Sequence, residues 1–170
     1  MPPAMPPQLR DEFDDSPARA AVVSIVRGFG AVQRLMTPHY AQFGLTPPQF
    51  QLLTVANRLR NQPLTQRDLA KALYVSFPNV TVMLSRLEAA GLIERQINPD
   101  DRRQKFVRLT RKARFLLRRI WKKQPQQLER VVKGLGKTER KTLAHLLNKL
   151  TASHLELSEA ESAVSTEVTP

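Results

Sequence analysis

The chain contains no cysteine among its 170 residues. That excludes a disulfide framework, a thiolate metal site and a peroxide switch built on a reactive thiol. Its three histidines, His39, His145 and His154, are far apart and lack carboxylates at ligand spacing, so no metal is expected. No apolar run approaches the ~18 residues needed to span a bilayer, and no basic segment followed by an apolar core marks a secretory signal. The expectation is a cytoplasmic protein with no membrane partner. A glycine-rich phosphate loop and a Ser-His-Asp pattern with supporting context are also missing, so neither an enzyme nor a cofactor is expected.

Acidic residues are scarce where basic ones are dense. The formal charge is +12 and the sequence pI about 10.9. Residues 17–154 hold 26 of the 27 Lys and Arg but only 7 of the 15 acids, so this part carries +19 while the two ends together carry −7. Such a field attracts phosphate and releases counterions on binding, which favours a nucleic-acid partner. The densest stretch is Arg102 to Lys123, with 11 Lys and Arg in 22 residues and no acid.

What is present is most informative between Leu73 and Thr110. A helix is expected from Ser76, a suitable N-cap whose hydroxyl accepts from a first-turn N–H, to Gly91, which supplies a left-handed residue past the C-terminus. Val80, Leu84 and Leu87, with Met83 beside them, recur at three- and four-residue spacing and point inward. Ser76, Pro78, Asn79, Thr81, Val82, Ser85 and Arg86 are left on the outside. Small polar side chains approach base edges, Asn pairs with adenine, Arg with guanine, and Val82 suits a thymine methyl. An ordinary amphipathic surface helix would show the same periodicity. The segment after Gly91 favours a DNA reader: the runs Leu92–Ile97 and Lys105–Leu109 are β-prone and joined by Asn98, Pro99, Asp100 and Asp101, all turn formers. The tip of this hairpin carries Arg102, Arg103 and Lys105, suited to the negative potential of a narrow minor groove, with Asp101 placed to brace Arg103.

Upstream, Thr65 caps a helix with Asp68 at its third position, and Thr46-Pro47-Pro48-Gln49 opens another with a capping box. Thr65, Gln66, Arg111 and Lys112 are candidate phosphate contacts, with Arg114 beside them. Three short helices and a wing thus run consecutively.

These residues resemble the MarR-type transcriptional regulators, named for multiple antibiotic resistance, over roughly Arg19 to His154. The resemblance is carried by Gly44-Leu45-Thr46-Pro47-Pro48-Gln49, Leu64 to Ala70, Arg86-Leu87-Glu88 with Gly91-Leu92-Ile93, and Asp100 to Arg103 leading to Val107-Arg108-Leu109-Thr110. It places the family's Asp-x-Arg wing motif on Asp101 and Arg103. It also implies a homodimeric repressor or activator on double-stranded DNA whose affinity responds to a small, often aromatic or phenolic, effector. The family pocket lies where the first, second and fifth helices meet, which here points to His39, Tyr40 and Phe43. Two departures are Val82, where many members carry Arg or another polar residue, and Phe77-Pro78 in place of a small polar pair.

The expected fold is mainly α with a small β wing, a winged helix-turn-helix unit plus N- and C-terminal helices forming a dimerisation bundle. Residues 1–16 read as an acidic, proline-rich disordered arm and 17–45 as a dimerisation helix, which Pro38 kinks or ends. Residues 46–110 read as the DNA-binding unit, 111–155 as C-terminal dimerisation helices capped by Thr110 and Thr138, and 156–170 as a disordered tail. The functional expectation is a sequence-specific regulator, most simply a repressor acting as a homodimer. The competing expectation is an architectural winged helix that binds DNA without sequence preference.

Overall fold

The computed structural model describes residues 16–97 and 105–167, of which 154–167 are described by backbone alone. The chain runs α1 (Pro17–Ala41), α2 (Pro47–Arg58), α3 (Gln66–Leu73), α4 (Phe77–Ala89), β1 (Ile93–Ile97), β2 (Lys105–Leu109), α5 (Arg111–Val131) and α6 (Lys137–Glu167). This is the mainly helical architecture with a two-stranded wing that the sequence predicts.

Local chemistry explains where the first helices begin and end. Ser16 accepts from the Arg19 N–H at 3.5 Å, with Pro17 in the first turn, where no helical hydrogen bond is lost. Pro38 lies inside α1 and does not end it. The helix closes instead at Gly44 (φ 72°), where the Gly44 and Leu45 N–H groups turn back onto the Ala41 and Tyr40 carbonyls. α2 starts with both arms of a capping box: Gln49 N–H to the Thr46 hydroxyl at 3.4 Å and Thr46 N–H to the Gln49 amide oxygen at 2.9 Å. Thr65 and Asp68 do the same for α3, at 3.2 and 2.8 Å.

The wing strands pair antiparallel, from Ile93 opposite Leu109 to Ile97 opposite Lys105. The segment before α3 joins them: the Val107 N–H donates to the Leu64 carbonyl at 2.7 Å, and Thr65 bridges Phe106. Such a rung anchors the wing to the helix-turn-helix through its backbone rather than through the hairpin alone. Beneath these elements one core is shared by α2, α3, α4, β1 and α5, with Leu52, Leu53, Leu69, Val80, Leu84, Leu87, Ile93, Leu117 and Ile120 all buried. At ~1.5–3 kcal/mol for each fully buried large apolar side chain, this is the main source of the unit's stability.

Residues from Leu128 onward form a second unit. Its long helix is not capped by Thr138, contrary to the sequence expectation. Gly136 precedes α6, its N–H donating to Glu139 Oε2 at 2.6 Å, which places Thr138 inside the first turn. Arg140 braces this start, donating to the Leu135 carbonyl at 2.9 Å and pairing with Glu129 at 2.8 Å. α6 also continues to Glu167, beyond the position near 155 where the sequence suggests that order ends. The reason is propensity: from Lys137 to Glu167 there is neither Gly nor Pro, with Leu and Lys frequent in the first half and Ala and Glu recurring beyond it.

Candidate nucleic-acid interface

The candidate recognition helix is α4, held over the core by Val80, Leu84 and Leu87, which are buried, while Met83 is half-buried. Its N-terminus differs from the sequence expectation. Ser76 sits at the N-cap with extended backbone, but its hydroxyl makes no capping hydrogen bond. Pro78 in the first turn has no N–H to offer, so the donor set a serine cap serves is depleted. The exit is as expected: Gly91 is left-handed (φ 66°), its N–H reaching the Glu88 carbonyl at 2.8 Å and that of Leu92 reaching Leu87 at 2.9 Å, a Schellman closure.

α3 and α4 are joined by Tyr74 and Val75. Tyr74 is left-handed (φ 53°), and the N–H groups of Tyr74 and Val75 close onto Lys71 and Ala70 at 3.3 and 3.2 Å. A glycine would take this conformation without steric cost; a tyrosine there costs roughly 1 kcal/mol, held by the helices either side. The tyrosine ring stays exposed, as does the Phe77 ring at the start of α4.

Of the predicted reader positions, Ser76, Pro78, Asn79, Val82, Ser85 and Arg86 are exposed and Thr81 is half-buried. Two of them are committed inside the protein. The Thr81 hydroxyl donates to the Phe77 carbonyl at 3.0 Å and accepts from the Gln66 amide, which also donates to Phe77 at 3.4 Å. The Ser85 hydroxyl donates to the Thr81 carbonyl at 3.0 Å and accepts from the Arg95 guanidinium at 2.9 Å. Arg95 also lies 3.1 Å from Glu88 and is mostly buried. Gln66, predicted to meet phosphate, is thus a brace between α3 and α4. Arg95 is a brace between α4 and the wing, and the sequence reading missed it. The available signal was strand alternation: Arg95 is two residues from buried Ile93, so it shares the inward face of β1.

Around the wing, Asp101, Arg102 and Arg103 lie outside the described residues, and Lys105 is exposed at the start of β2. Thr65 serves as the α3 cap. Arg111 is exposed, whereas the Lys112 ammonium donates to the Ala90 carbonyl at 2.8 Å, at the electronegative end of α4. Arg114 donates to the Leu109 carbonyl at 2.6 Å, and the Thr110 hydroxyl donates to Gly91 at 2.9 Å and caps α5 through the Ala113 N–H at 3.2 Å. The basic residues after the wing therefore also fasten α5 to the ends of α4 and β2.

His39, Tyr40 and Phe43 form one cluster. The His39 ring meets Tyr40 and Phe43 edge-on with centroids 5.3 and 5.7 Å away, and Tyr40 stacks on Phe50 at 4.3 Å. Gln124 donates to the Tyr40 hydroxyl at 3.1 Å, and Arg119 and Lys123 lie about 6 Å from the Phe43 ring. Burial, and next to it the Lys123 charge, lowers the His39 pKa below its ordinary value, while burial raises that of Tyr40 against the opposing Gln124 hydrogen bond. His39 Nε2 is buried without a hydrogen-bonding partner. Among the described residues, no group of three or more His, Asp or Glu is placed to hold a metal, and no helix is long and apolar enough to cross a membrane.

A helix pair whose first member is capped by Thr65, an outward-facing second helix and a wing tied to it define a winged helix-turn-helix DNA-binding unit. The comparisons agree. The MarR family model matches residues 45–105. The HTH-type transcriptional regulator MhqR of Bacillus subtilis (strain 168) is 23% identical over 128 residues, 75% of this chain and 87% of that protein. YfiV of the same organism, an uncharacterized HTH-type transcriptional regulator, is 28% identical over 116 residues, 68% of each chain. Among solved structures, a mutant MarR from E. coli complexed with operator DNA is similar with a TM-score of 0.72 at 26% identity, covering 82% of this chain and 98% of that one. Residues 45–105 thus match the MarR family of transcriptional regulators, and the winged helix is of the DNA-binding, transcription-regulating kind.

Proposed function

We propose that the protein acts as a homodimer on pseudo-palindromic operator DNA, each copy laying α4 in a major groove and its wing along the neighbouring minor groove. Residues 46–110 are the reading unit, with 17–45 and 111–155 supplying the dimer contacts. The observation that carries this reading is the contrast between the two faces of α4: an inner face with Val80, Leu84 and Leu87 buried and an outer face presenting Asn79, Val82 and Arg86. Dimerisation is supported by α1, where Val22, Val26 and Phe29 are all more than half exposed at helical spacing, an apolar stripe that one copy leaves uncovered. Arg103 in the wing enters the minor groove, and Arg111 meets a flanking phosphate.

On this reading, two recognition helices reach successive major grooves about 34–36 Å apart, and bound dimer represses by excluding polymerase. A small aromatic or phenolic effector seated near His39, Tyr40 and Phe43, where α1 approaches α2, changes that separation and releases the DNA. The solved operator complex of the related E. coli protein supports the DNA partner.

The test is fluorescence anisotropy with the DNA immediately upstream of the protein's own reading frame, in excess random competitor. Specific binding stands ~10³-fold or more above random duplex at physiological salt. Loss of all binding to competitor, on this DNA and on sites selected from a random pool, would instead establish the architectural reading that the dense basic charge of α5 also permits.

A further inference from the structure

Val82 is 51% exposed at the middle of the outer face of α4. Residues four apart lie one above another on a helix, so Pro78, Val82 and Arg86 form its central line, all exposed, with Asn79 on one side and Ser85 on the other. Two of this line's three members offer no hydrogen bond. Nor do the hydroxyls beside it compensate, since Thr81 is turned onto Gln66 and the Phe77 carbonyl, and Ser85 onto Arg95 and the Thr81 carbonyl. The central line of the reading face therefore presents carbon at Pro78 and Val82, beside the polar Ser76 and Asn79 and continued by the exposed rings of Tyr74 and Phe77, 52% exposed each. Basic residues frame it, Arg86 on the same line and Lys105 in the wing, so an apolar partner must itself belong to a polyanion. In the major groove only thymine offers a methyl group at its edge.

We infer that Val82, with Pro78 beside it, recognises thymine methyl groups, so that each operator half-site carries a fixed thymine read by shape and desolvation rather than by hydrogen bonds. Arg86, one turn further along, reads a guanine on the same half-site. The inference rests on the proposed operator binding and specifies what the operator contains. It also assigns Thr81 and Ser85 to positioning α4 rather than to touching bases.

The experiment takes the full chain, selects its preferred duplex from a random pool, and then replaces single thymines of the half-site by uracil, which removes the methyl and nothing else. One buried carbon group corresponds to about a fourfold loss of affinity per methyl, and about fifteenfold when both half-sites are changed. Val82→Ala, at an exposed position that leaves the fold intact, is expected to bind the thymine operator several-fold more weakly and to be indifferent to the uracil change at that step. A selected motif that lacks a fixed thymine overturns the inference while leaving sequence-specific binding in place. So does a uracil effect of equal size in the wild type and in Val82→Ala. A pool that yields no enriched sequence overturns operator binding and this inference together.

Discussion

The two long-range features of this chain, the reading unit and the stripe along α1, treat their apolar residues in opposite ways. In the reading unit Val80, Leu84 and Leu87 are completely covered by neighbours from the same chain, whereas on α1 Val26 is 64% and Phe29 60% exposed. Both sets have the same helical spacing, so periodicity alone does not distinguish a helix that packs within its chain from one that waits for another copy. The difference lies in what is nearby. α4 has α2, α3 and β1 against it, while only the last turns of α1, at Met36, His39 and Tyr40, are buried. The reading unit is thus covered by its own chain, and the apolar stripe of α1 is not.

The largest expected effect comes from charging that stripe. In the proposed homodimer, replacing Val26→Glu and Phe29→Glu together removes four apolar side chains from a two-fold interface, each worth ~1.5–3 kcal/mol when buried, and adds four carboxylates. Sedimentation equilibrium is expected to show monomer at concentrations where the wild type is dimeric, and operator affinity falls with it. Because these positions are exposed within one chain, the near-ultraviolet and far-ultraviolet circular dichroism of the reading unit is unchanged. A dimer that persists would show that α1 is not the interface.

Leu84→Ala comes second and acts on the other region. It leaves a cavity beneath the recognition helix, and such substitutions cost about 2–5 kcal/mol. Denaturant unfolding should report a loss of that size, with assembly altered only as far as folding is. A loss below about 1 kcal/mol would mean that the core under α4 relaxes, and the contrast between the two regions would shrink accordingly.

The regions also differ in how far they can be read from sequence. Caps and closures made by adjacent residues were legible, since the Thr46–Gln49 and Thr65–Asp68 boxes and the Gly91 exit depend on contacts within a few positions, and the β1–β2 pairing was legible from two β-prone runs flanking a cluster of turn formers. The Ser76 cap fails because a proline two residues on alters the donors available to it, a neighbour effect that residue type alone hides. The Tyr74 turn carries no glycine to announce its left-handed backbone. At the candidate site, periodicity placed Thr81 and Ser85 on the outer side of α4, but it does not say where a hydroxyl points. Their partners, Gln66 and Arg95, are brought to them by tertiary packing over 15 and 10 residues of sequence. Outward orientation was legible, and engagement was not.

The smallest effect falls where the two regions meet, at His39 on the buried last turns of α1. Its imidazole Nδ1 faces the Gln42 amide nitrogen at 3.3 Å. Burial, then Lys123, lowers its folded-state pKa below the 6.5 of the unfolded chain. Between the folded value and 6.5 the unfolded chain binds more protons, so stability rises with pH across that window. The contribution is therefore fully present above 6.5 and is lost as pH falls through 6.5 toward the folded value. Unfolding midpoints compared at about pH 7.5 and about pH 5.5 are expected to drop in the wild type and to drop less in His39→Gln. If the two proteins lose stability equally, the acid sensitivity belongs to groups other than His39.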